Sequence, residues 1–202
     1  MNNVNINSSL NDLEQDGFVE IINIGLSKAA DALSMIIKER VLIKCIEVMS
    51  PLEVFNEMGN DSIKLVTDLK GDVEGSCYFV ISESEADYLT RKTVSANSEP
   101  GKFELNELNK GFLLELDNII SAAVITQLAD IMKLNVFGDV PRIEPGISQE
   151  EMDQMLVKFS PLFFKTQFRT EEATFNPGFY WFLKPSVIAD LKGVINNNIN
   201  SK

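Results

Sequence analysis

Gly75-Ser-Cys-Tyr-Phe-Val-Ile-Ser-Glu-Ser-Glu-Ala-Asp-Tyr-Leu89 reads as a glycine, a strand and then a helix. The strand is rich in aromatic and β-branched residues, which suit a pleated, packed surface. The same order returns as Gly178-Phe-Tyr-Trp-Phe-Leu-Lys-Pro-Ser-Val-Ile-Ala-Asp-Leu-Lys192. Phe79 matches Phe182, Ala86 matches Ala189 and Asp87 matches Asp190, and the glycine-to-alanine interval is 11 residues in both. A repeat of this kind points to a duplicated architecture.

Working outward, each copy is preceded by a long helical pattern. Over residues 12–38, Leu13, Phe18, Ile21, Ile22, Leu26, Ala29, Ala30, Leu33 and Ile37 recur near the helical period, and Asn11 or Asp12 stands ready to cap the start. Residues 104–133 repeat the pattern with Leu108, Leu113, Leu116, Ile119, Ile120, Ala123, Ile125 and Leu128. Each helix leads into a β-branched run, Val41–Val48 and Leu134–Val140. The expectation is an α+β fold of two helix–strand–strand–strand–helix halves, about residues 12–94 and 104–196, within a single domain spanning 1–202. Short connections imply a mainly antiparallel sheet, with the two long helices on one side. Ser95-Ala-Asn-Ser-Glu-Pro-Gly101 reads as the linker, and Ser148-Gln-Glu-Glu as the start of a short extra helix over 148–156.

Composition narrows the chemistry. The chain has 202 residues and a formal net charge of −12, which argues against nucleic-acid binding and against an anionic membrane surface. No apolar run approaches the roughly 18 residues that span a bilayer, and Met1–Asn7 lacks the pattern of a signal peptide. Cys45 and Cys77 sit in strand-like runs and read as reduced core residues of a cytoplasmic protein. There is no histidine, so the commonest general base and zinc ligand are missing. Walker, dinucleotide and nucleophile-elbow motifs are absent from the sequence.

Carboxylates and amides remain. Asp16, Glu20 and Asn23 fall on one polar stripe of the first helix, continued by Ser27, Asp31 and Ser34. Glu115 and Asn118 stand 95 residues further on, at the corresponding places of the second. A lone Glu-x-x-Asn describes many solvated helix faces. Two copies in register, each with an asparagine that the middle of a helix does not favour, call for a common reason. A carboxamide donates and accepts, so it can hold a water in line with a phosphorus atom. A carboxylate one turn away can pair with a cation on a partner.

These residues resemble the motif of the CheC/CheX/FliY family of chemotaxis phosphatases, Asp/Ser-x3-Glu-x2-Asn-x22-Pro. Glu20-Ile-Ile-Asn-Ile-Gly25 follows Asp16, but Ile46 stands in the proline position. Glu115-Leu-Asp-Asn118 is followed by Pro141, with Gly111 replacing the acid; Ser27 replaces a usual glycine. The resemblance spans about residues 12–195. Two pairs look more like CheC than like CheX, and FliY would add a flagellar-switch domain. The resemblance implies hydrolysis of the aspartyl phosphate of a CheY-like receiver. Asn23 and Asn118 would orient the water, Glu20 and Glu115 would pair with the receiver's lysine, and Asp16 would help docking. It implies no metal or cofactor on this chain, the magnesium being the receiver's. A non-catalytic adaptor for a receiver or for the deamidase CheD is the alternative.

Overall fold

A computed structural model of the chain describes residues 11–49, 51–57, 62–94, 99, 101, 103–144, 148–172 and 174–200. In the first half α1 (Asp12–Ile37) leads to β1 (Leu42–Val48), α2 (Pro51–Glu57), β2 (Ser62–Gly71), β3 (Gly75–Ser82) and α3 (Glu83–Thr93). In the second, α4 (Glu107–Met132) leads to β4 (Val136–Gly138), β5 (Arg142–Glu144), α5 (Gln149–Lys158), β6 (Ser160–Arg169), β7 (Thr174–Phe175), β8 (Gly178–Leu183) and α6 (Pro185–Asn200). The expected linker falls mostly outside the described residues, and the N-terminal segment 1–10 wholly so.

The strands form one antiparallel sheet in the order β1-β6-β8-β3-β2, with β4 and β5 both on the far side of β2. The two stretches quoted first are its central pair, with Tyr78 opposite Tyr180 and Cys77 opposite Trp181. Neighbouring side chains on a strand point to opposite faces. Accordingly Cys77, Phe79 and Ile81 join one core, and Tyr78 and Val80 the other. Both faces are covered, which is why these strands read as continuous apolar runs rather than alternating ones.

The larger core lies under α1, α3, α4 and α6, and the smaller lies under α2 and α5. The expected extra helix is present as α5, but the first half also has a short helix, α2. Each half therefore carries a short helix on the opposite sheet face from the long pair, and of the two the sequence reading assigns only α5. The pairing differs too. β1 pairs with β6 of the other half and not with β2, while β4 and β5 pair with β2. The second half's counterpart of β1 is split at Asp139, Val140 and Pro141, where three residues of one strand face two of β2.

α1 and α4 are each 26 residues long. Asn11 caps α1, accepting from the Glu14 amide at 3.0 Å, while Glu14 accepts from the Asn11 amide at 2.9 Å. Asn106 caps α4, accepting from the Asn109 amide at 2.9 Å. Both helices end on a lysine in left-handed conformation, Lys38 at φ 57° and Lys133 at φ 56°. The helices pack on each other where Gly25 meets α4: a Cβ there would lie 3.0 Å from the Val124 Cα. α4 is long and apolar enough, by length and composition only, to cross a membrane. In this fold Leu113, Leu116, Ile120 and Val124 are buried in the larger core.

Candidate functional site

The polar stripe of α1 is set by its apolar face. Phe18, Ile21, Ile22 and Leu26 are buried, which turns Asp16, Glu20, Asn23 and Ser27 outward, and all four are exposed. On α4, burial of Leu113, Leu116 and Ile120 leaves Glu115 and Asn118 exposed. Gly111 and Ala122 occupy the places of Asp16 and Ser27, and both are exposed. All four Glu and Asn side chains thus lie on the outer sides of two helices that cover the same sheet face. The Ser27 hydroxyl donates to the Asn23 carbonyl oxygen at 2.7 Å, so the serine in the usual glycine position bonds back to the turn that carries the amide. Each stripe begins with an exposed leucine, Leu13 on α1 and Leu108 on α4. Among the described residues, no group of three His, Cys, Asp or Glu side chains is placed to hold a metal ion.

Spacing alone does not single out Asp117, which sits between Glu115 and Asn118 and is fully buried. It accepts from the Thr67 hydroxyl of β2 at 2.9 Å and from the Ser121 hydroxyl at 2.7 Å. Burial pushes its carboxyl up to about 6, and the two hydroxyls offset part of that rise. The signal in the sequence is an acid in the apolar phase of a helix, where α1 carries Ile22.

The downstream positions also differ. Pro141 is buried in the break between β4 and β5, whereas Ile46 is half-buried within β1, opposite Thr166. The Thr166 amide donates to Pro177 at 3.2 Å, away from β1. Opposed residues in an antiparallel pair share that orientation. The Ile46 N–H therefore points off the sheet edge, where a proline would forfeit no ladder bond.

The chain is 23% identical over 164 residues to the CheY-P phosphatase CheC of Bacillus subtilis strain 168, a match covering 78% of each chain. Its sequence is similar to that of CheC, and its fold is the one found in solved FliY and CheX structures. The crystal structure of Thermotoga maritima FliY superposes with a TM-score of 0.71 at 15% identity, covering 93% of this chain and 98% of that one. CheX in the CheX–CheY–BeF3–Mg complex of Borrelia burgdorferi matches with a TM-score of 0.57 at 15% identity, covering 82% of this chain and 99% of that one. No family model matches the chain.

Proposed function

We propose that this chain is one domain of two pseudo-symmetric halves that hydrolyses the aspartyl phosphate of a chemotaxis-type receiver, using Asn23 and Asn118 in two separate sites. The observation that carries the reading is the exposure of two Glu-x-x-Asn pairs, 95 residues apart, on two helices with matching lengths and caps. Each asparagine amide holds a water in line with the phosphorus. The water oxygen bonds to phosphorus as the bond to the receiver's carboxylate oxygen breaks, and the water proton leaves with the inorganic phosphate. Glu20 or Glu115 pairs with the receiver's lysine and holds the two proteins in register. The receiver supplies the magnesium, so the chain itself needs only position its amides. Asp16 adds a charged contact at the rim of the first site, and Leu13 and Leu108 offer apolar ones. Receiver phosphates are turned over in the cytoplasm, where this reading puts the protein.

The test is inorganic phosphate release from a phosphorylated CheY-like receiver, with the wild type and with Asn23→Ala plus Asn118→Ala. The wild type should accelerate release, and the double variant should bind the receiver without accelerating it, because the amide acts mainly in the transition state. A double variant as fast as the wild type would refute the assignment. Receiver binding with no acceleration by the wild type would favour the adaptor reading.

A further inference from the structure

We propose that Asp117 is a positioning residue for the second site, which tethers the turn of α4 carrying Asn118 to strand β2 while ionised and loosens it on protonation. The proposal rests on the phosphatase reading and concerns only one of its two sites. Asp117 is one residue from Asn118, with no exposed surface. Its two oxygens accept from two hydroxyls on different elements, Ser121 on the same helix and Thr67 on β2. The Thr67 bond joins the helix to the sheet immediately beneath the amide. As a carboxylate the group only accepts. Once protonated, one oxygen becomes a donor, and the hydroxyl facing it must turn round or part from it.

The fold does not require an acid at this point. α1 places Ile22 at the corresponding position, equally buried. A buried carboxylate is costly where a hydrocarbon would fit, and such breaches of local rules gather at functional sites. Burial raises the carboxyl into a pH range that an assay can cross. Among the described residues, one other titratable group is coupled to it, and Asp68 acts on that group in turn. Cys77 of β3 has its thiol pushed well up by burial, and then by the charges of Asp117 and Asp68. Asp68 of β2 is held by Arg142 and Ser76. The basic side chains of α1, α3 and α6 are engaged elsewhere: Lys28 of α1 with Gln127, Arg91 of α3 with Asp87, Lys92 of α3 with Glu39 and Glu172, and Lys192 of α6 with Glu14.

The experiment uses two full-length single-site proteins, Asn23→Ala for the second site and Asn118→Ala for the first. Their kcat and KM toward one phosphorylated receiver are measured from pH 5 to pH 8. The ratio of second-site to first-site kcat cancels the receiver's own titration. That ratio should rise several-fold with pH, with its midpoint near the Asp117 transition and with KM little changed. Asp117→Asn in the second-site protein presents one acceptor and one donor, as the protonated acid does, and cannot titrate, so it should hold the ratio flat at its low-pH level. Asp117→Ala should lower kcat several-fold at high pH and also remove the slope. Cooperative thermal unfolding of each variant shows that the fold is kept. A ratio independent of pH, or one that keeps its slope in Asp117→Asn, overturns the proposal, as does a silent second site beside a working first. Silence of both sites, with the receiver still bound, instead overturns the phosphatase reading on which the proposal rests, and the proposal falls with it.

Discussion

Asn23 and Asn118 ask little of the structure around them, because an exposed amide forms no part of either core. Asp117 is the opposite case, and its effect on stability has a definite sign. Its carboxyl sits at about 6 in the folded chain against an ordinary 3.8. The folded state therefore holds the proton more tightly than the unfolded state between those values. The stability contributed by the protonated form is fully present below the unfolded value and is lost as pH rises through the folded one. The size of the loss is about 2–3 kcal/mol. Asp117→Asn has no such titration, so the stability gap between it and the wild type should move in the variant's favour by about that much between pH 4 and pH 7. Urea midpoints across that range measure it, and a gap that stays constant would mean that the carboxyl is not buried in solution. Asp16 belongs to another class. It is exposed on α1 where α4 has Gly111, so it acts through long-range charge. The association-limited rate of the first-site protein should depend more steeply on salt than that of the second-site protein. Equal slopes would remove Asp16 from the docking surface.

At the level of elements, the first strands of the two halves carry the clearest difference. β1 runs unbroken from Leu42 to Val48, apart from a register shift between Ile43 and Cys45. Its counterpart is broken around Pro141 into β4 and β5. Proline in a central strand removes a ladder bond, but on an outer edge its missing donor faces outward. The Ile46 N–H already points that way. Ile46→Pro should therefore cost only the packing of a half-buried side chain, about 1 kcal/mol, and not the 3 kcal/mol or more of a proline in a helix interior. Thermal or urea unfolding of the variant measures this, and a much larger loss would mean that the N–H is bonded inside the sheet. The close approach of α1 and α4 depends on Gly25, where any side chain would press on the Val124 backbone. The family-like Asn23-Ile-Gly25 stretch thus combines an exposed amide with a packing contact two residues later.

For the whole molecule, the exchange of first strands between halves decides how the chain folds. β1 needs β6, and β4 and β5 need β2, so neither half can complete its sheet alone. Separately expressed segments 1–100 and 101–202 should be unfolded or aggregated, and the intact chain should unfold in one transition. Circular dichroism of the two pieces and of the whole tests this, and a cooperatively folded half would contradict it. Much of the architecture was legible in the chain itself. Periodicity located α1 and α4, and the repeated glycine–strand–helix stretch located β3, β8 and the helices that follow. The paired motif marked the four exposed residues, because helical phase follows directly from spacing. Local sequence also foretold α5 through its Ser148-Gln-Glu-Glu start. What it did not carry was partnership between strands. A β-branched run states that it will be a strand, but its neighbour depends on which edge the rest of the chain leaves open. So β1 crossing to β6 and the opposite-face position of α2 emerged only from tertiary packing. The same holds for Asp117: the sequence shows an acid in an apolar phase, but only the fold brings Thr67 from β2 to meet it, 50 residues away along the chain.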